Sequence, residues 1–144
     1  MNIALTFTVR INNHGCPWIT VAADLDGKSQ PVELKSTPTT VSFDLEDTGA
    51  EHCLTVSLKG KRPRDTHLDA KGDIFSDVIV TVDSFELDGI KIDPLVREFA
   101  EYVHDANGHL EQKQSHKFYN DLGCNGDVVF RFSTPAYLWL LERM

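Results

Sequence analysis

Long apolar runs are missing from this sequence, the longest falling far short of the roughly 18 residues that a membrane helix requires. The opening MNIALTFTVRIN alternates polar with apolar residues and has neither the charged start nor the apolar stretch of an export signal, so a soluble protein without one is expected. Basic charge is short too. With 14 Lys and Arg against 22 Asp and Glu the formal charge is -8, which repels phosphate backbones and anionic lipid and excludes nucleic acid and membrane insertion from the expected partners. Cysteine is scarce and odd in number. Cys16, Cys53 and Cys124 lie far apart, which argues against a disulfide framework and fits free, buried thiols in a chain made in a reducing cytoplasm. A nucleophile elbow and a Gly-rich phosphate loop are absent, so no enzyme is expected. The histidines do not show zinc spacing either: His14 is near Cys16, His52 and Cys53 point to opposite faces of a strand, and His104, His109 and His116 do not share one turn.

What the sequence does have is alternation. Its 144 residues suit one domain over 1–144, long enough to bury roughly 70% of the extended-chain surface. The strongest stretch is DVIVTVDSFELDGIKI at 77–92, where Val78, Val80 and Val82 share one strand face and Phe85 and Leu87 fall on the other parity. That slip predicts a bulge near Asp83-Ser84 or a strand between two packed surfaces, and Asp88-Gly89 predicts a two-residue hairpin. Ile3, Leu5, Phe7, Val9 and Ile11 form another half-buried strand. Further strands are expected around Ile19 to Leu25, Val41 to Leu45, Leu54 to Leu58 and Val128 to Phe132, with a polar link from Asp26-Gly27 to Thr40. Residues 94–104 read as a short helix on Leu95, Val96, Phe99, Tyr102 and Val103, or as a strand on Phe99, Glu101 and Val103; the following HLEQKQSHK reads as exposed. Thr134-Pro135 opens a closing helix with Tyr137, Leu140, Leu141 and Met144 on one face. The expected fold is all-β, an antiparallel β-sandwich of jelly-roll type with a short C-terminal helical segment.

Between the strands, GKRPRDTHLDAKGDIFSD at 60–77 has little apolar content and reads as a long loop or a hairpin turning at Ala70-Lys71-Gly72. Asp65, Asp69, Asp73 and Asp77 recur every four residues there. Carboxylates on a turning loop suit calcium, while Lys71 sets a positive charge where a ligand would help; a calcium site and a solvated hairpin tip are the alternatives. Trp18, Tyr102, Tyr119 and Trp139 are the rings able to stack on a sugar. Trp139 is expected in the core, which leaves Trp18 and Tyr102 as the glycan-stacking candidates. The apolar ending Tyr137, Leu138, Trp139, Leu140 and Leu141 is rich enough for a subunit contact.

Residues 59–144 resemble small proteins of tailed bacteriophages, cyanophages among them, through GK followed by RDTHLDAKGDI, then DVIVTVDSFELDGI, and above all the terminal STPAYLWLLERM. The loop departs from the DxDG of such proteins at Lys71. VDSFELDGI also resembles strands of jelly-roll carbohydrate-binding modules. These resemblances imply a non-enzymatic virion component made in the host cytoplasm, a head decoration or tail- or fibre-associated module, oligomeric and in contact with other virion proteins. No cofactor is required on that reading. The alternative is a calcium-assisted carbohydrate-binding module that attaches to a host-surface glycan.

Overall fold

The computed structural model describes residues 2–13 and 15–143, leaving out the side chain of Phe75; His14 and the Met144 of the expected helix face lie outside it. In chain order the elements are β1 (Asn2–Ile11), β2 (Thr20–Leu25), β3 (Lys28–Val32), β4 (Thr39–Glu46), β5 (Glu51–Lys59), a 3-10 turn (Pro63–Asp65), β6 (His67–Leu68), β7 (Ile74–Ser76), β8 (Val80–Leu87), β9 (Ile90–Lys91), α1 (Asp93–Phe99), β10 (Glu101–His104), β11 (Gln114–Lys117), β12 (Asp121–Leu122), β13 (Gly126–Ser133) and α2 (Ala136–Arg143). They build the expected antiparallel sandwich. One sheet has the order β12-β8-β1-β4, with β9 also paired to β8; the other has the order β11-β10-β13-β5-β2-β3. The chain crosses between the two sheets at most connections, so their inner faces fill one shared core.

Alternation becomes burial as the period of two requires. Ile3, Leu5, Phe7, Val9 and Ile11 of β1 are all buried, facing Val21, Ala23 and Leu25 of β2 and Leu54, Val56 and Leu58 of β5 across the core. The phase slip in β8 is a bulge. Thr6 pairs with Glu86 while Thr8 pairs with Asp83, so Phe7 of β1 faces both Ser84 and Phe85. Ser84 takes a left-handed φ of 57° and is pushed outward, which lets Val80, Val82, Phe85 and Leu87 all turn inward. Phe85 then stacks on Phe7 at 5.2 Å and meets Phe118 edge-on. The Asp88-Gly89 reversal is present as expected, with φ of 52° and 77°.

Residues 94–104 are both alternatives in succession: α1 carries Val96 into the core, and β10 then joins β13 and β11. Asp93 does not cap its own helix. Its Oδ1 accepts the Phe85 backbone N–H at 2.9 Å, an amide that the bulge takes out of the strand ladder. Three polar strands escape the sequence pattern. The expected polar link contains β3, an edge strand with Pro31 in it, the HLEQKQSHK segment contains β11, and the two-residue β12 borders β8. On α2 the buried residues are Ala136, Trp139 and Leu140; Tyr137, Leu140 and Leu141 share one side of the helix as expected, but Tyr137 and Leu141 on it are exposed. Trp139 sets this phase by lying edge-on to Phe130 and Phe132. Asp47 Oδ1 accepts the Ala136 N–H at 3.0 Å and so caps the helix start from another loop.

Replacing Asp93 by alanine leaves the Phe85 amide without an acceptor inside the sandwich. The expected cost is about 1–3 kcal/mol in urea unfolding, and a loss within error of zero would show that the carboxylate does not hold the bulge.

Candidate functional site

The aspartate segment is a hairpin, β6 against β7, that turns at residues 69–73 as its glycine and small residues suggested. Its four carboxylates do not converge. Asp65 is buried and accepts the Trp18 indole N–H at 2.9 Å, the Arg62 backbone N–H at 2.8 Å and the Arg62 guanidinium at 3.3 Å. Burial pushes the Asp65 carboxyl up, but these donors outweigh it and leave the group below its ordinary value. Asp69 closes the tip of the turn, its Oδ1 taking the N–H groups of Lys71 and Asp73. Asp73 is exposed. Asp77 sits at the hairpin base, 2.6 Å from Lys61 Nζ, and also accepts from the Thr66 hydroxyl and the Val78 N–H. Among the described residues no three His, Cys, Asp or Glu side chains are grouped to hold a metal.

Lys61 explains why Asp77 is needed where it is. Only 1% of that lysine side chain is exposed, and besides Asp77 it donates to the Gly123 carbonyl at 2.7 Å. A buried ammonium without a carboxylate is costly, so the pair ties the hairpin base to the β12–β13 turn. Asn125 adds a reciprocal bond to each side of the Lys61 backbone, and Asn107 accepts from the Asn125 N–H. Tyr102 completes this knot from below, its hydroxyl donating to the Cys124 carbonyl and accepting the Cys124 N–H. Burial pushes that phenol well above its ordinary value. Tyr102 is therefore a core residue with no ring face open to a sugar, because β10 turns it inward opposite Val128. Trp18 is 37% exposed, but the Arg62 guanidinium lies 3.6 Å over its ring and covers one face. The expected stacking pair is thus reduced to one half-covered indole.

The C-terminal apolar residues divide as well. Trp139 and Leu140 are buried within their own chain, whereas Tyr137, Leu138 and Leu141 are 69%, 54% and 51% exposed. They do not stand alone. α2 lies beside α1 and the β8–β9 hairpin, and between them runs a groove of about 600 Å3 lined by Ile90, Ile92, Pro94, Leu95, Leu140 and Leu141, with Tyr137 at its edge. Lys91, Glu98 and Arg143 form a charged rim. The Arg143 guanidinium lies over Trp139 at 4.8 Å and Phe99 at 6.0 Å, linking the two helices at one end of the groove. Ile90, Pro94 and Leu95 were not expected as contact residues from sequence, since each lies in a segment whose pattern is explained by local structure. Their exposed apolar atoms become one surface only when α1 and α2 are side by side.

Two measurements test these assignments. Calcium and chelator should give coincident thermal melts, because a bound ion at a hundredfold its Kd would add about 2.7 kcal/mol; a calcium-dependent rise would restore the metal site. Since the folded Asp65 carboxyl lies below its ordinary value, its contribution is fully present above about pH 4 and disappears as the pH falls through the folded value. Acid unfolding followed by Trp fluorescence should accordingly be less steep below about pH 4 in Asp65→Asn than in the wild type, and equal slopes would remove Asp65 from that role. Compared with family models, characterised proteins and solved structures, the chain has no match.

Proposed function

We propose that this protein is a non-enzymatic structural component of a tailed-phage virion, a head-decoration or tail- or fibre-associated module that works through protein contacts at the α1–α2 groove. The observation that carries the reading is that groove: Ile90, Tyr137 and Leu141, all exposed, line one concave strip together with Ile92, Pro94, Leu95 and Leu140. Exposed apolar patches of this kind mark contact surfaces. The phage-like STPAYLWLLERM supports the virion setting, because those residues supply one wall of the strip.

The first occupant is a second copy of the same chain. In a two-fold contact a surface meets itself, so its rim must carry both signs to avoid self-repulsion. Here Lys91 and Arg143 stand on the rim with Glu98, which lets the basic groups of one copy face the acid of the other. On a chain of net charge -8 this local mixture favours self-pairing at the groove over most of the remaining surface.

Sedimentation equilibrium should give a dimer, and Leu141→Glu should give a monomer with an unchanged melt, since Leu141 is half exposed within its own chain. Mass spectrometry of purified particles should then detect the protein. A wild-type monomer rejects the self-contact, and absence from particles despite abundance in infected cells rejects the virion reading.

A further inference from the structure

A second concavity lies apart from the hairpin, at the end of the six-stranded sheet where β5 starts and β13 finishes. The β2–β3 turn and α2 close its sides, and its volume is about 370 Å3, within the range of small-ligand sites. Its wall contains a His-Asp pair. Asp26 holds the left-handed first position of the β2–β3 turn, with φ of 52°, and its Oδ2 lies 2.6 Å from His52 Nδ1 while its Oδ1 accepts the Cys53 N–H at 2.8 Å. His52 stacks on Phe132 at 5.3 Å, and its Nε2 lies 3.5 Å from the Thr134 hydroxyl. The order acid, imidazole, hydroxyl is that of a hydrolytic triad, but the hydroxyl does not fit the role. Thr134 is 4% exposed, accepts the Gly49 N–H and donates to the Ala50 carbonyl, so no substrate reaches it and its proton points away from the ring.

The groups left over in this cavity are donors. Both oxygens of Asp26 are engaged within the wall. Arg131, on the outward face of β13 opposite Cys53, has no acceptor among the described residues for any of its N–H groups. Arg143 is steadied over the Trp139 ring, and among the described residues it reaches only the Trp139 carbonyl and Glu142, each at 3.4 Å from one nitrogen. Among the described residues the Ser133 hydroxyl also has no hydrogen-bond partner, and Glu51 is the remaining carboxylate on the lining. Two guanidinium groups and a hydroxyl around one cavity, with Asp26 engaged by His52 and the Cys53 N–H, are complementary to an anion with planar or tetrahedral oxygens.

We propose that this cavity binds a small organic anion whose carboxylate or phosphate is held by Arg131 and Arg143. The chemical class is an acidic or phosphorylated sugar or a molecule of similar size. Arg131 and Ser133 take no part in the groove surface, so variants at Arg131 test this cavity apart from the self-contact, whereas Arg143 borders both.

Calorimetric titration of the full chain with glucuronate, inorganic phosphate and glucose, in chloride-matched buffer, tests the site. Saturable binding of glucuronate or phosphate is expected, with none for glucose; whichever of the two anions binds identifies the head group. Arg131→Ala should weaken that anion at least about tenfold, with Arg131→Lys in between because an ammonium keeps the charge and loses the fork. Arg131 is exposed and makes no hydrogen bond or ion pair among the described residues, so an unchanged melt checks that the variant is folded. No saturable binding of either anion overturns the proposal, as does equal affinity in wild type and Arg131→Ala, or equal binding of glucose.

Discussion

A strand that offers one aliphatic face to the core and then the other needs an added residue at the switch, and in β8 that residue is Ser84. The cost of the bulge is an amide, Phe85 N–H, that loses its ladder partner inside the sandwich. Asp93 supplies the acceptor from eight residues further on, after the hairpin has reversed the chain. The same bond fixes where α1 begins, since Asp93 is its first residue. Ile92 also returns its N–H to the Phe85 carbonyl, so both backbone groups of the bulged residue are tied to the start of the helix. The position of α1 relative to the sheet, and with it one wall of the groove, follows from a single inserted residue and the carboxylate that satisfies it.

The other wall has a separate origin. α2 is short, and few helices of eight residues hold themselves together in water. It persists because Trp139 docks between Phe130 and Phe132 and because Asp47 caps its first amide from a distant loop. The apolar groups left outside the dock, Tyr137, Leu138 and Leu141, are those that the tryptophan's choice of face excludes. Exposure at the groove is thus the counterpart of burial at the sheet.

How much of this was legible depended on whether a residue's partner lies in its own local pattern. β1, the valines of β8, the Asp88-Gly89 turn and the bulge beside Ser84 were readable because burial follows a period of two and turns follow positive φ. β3 and β11 were hidden, since edge strands carry polar side chains on both faces and have no apolar period to read. The phase of α2 depended on an aromatic slot formed by β13, which no helical wheel contains. The four aspartates looked equivalent in spacing and are not in space. Asp65 answers Trp18 and Arg62, and Asp77 answers Lys61, a lysine that sits in a polar run and gives no sign of being buried. The Asp26 and His52 pair joins a turn to a strand start 26 residues apart in sequence, and no spacing rule reaches that far.

Arg143 borders both concavities, standing on the rim of the helix groove and on the lining of the cavity beside β13. One guanidinium cannot serve two acceptors in different directions with full strength. Drawing it toward an anion on one side would take positive charge from the rim on the other, where the proposed self-contact needs both signs. If both proposed contacts form, such a shared group would link them, and linkage is reciprocal: whatever factor an anion imposed on assembly, assembly would impose on the anion. The end of α2 is therefore the place where ligand occupancy and subunit association would be read against each other.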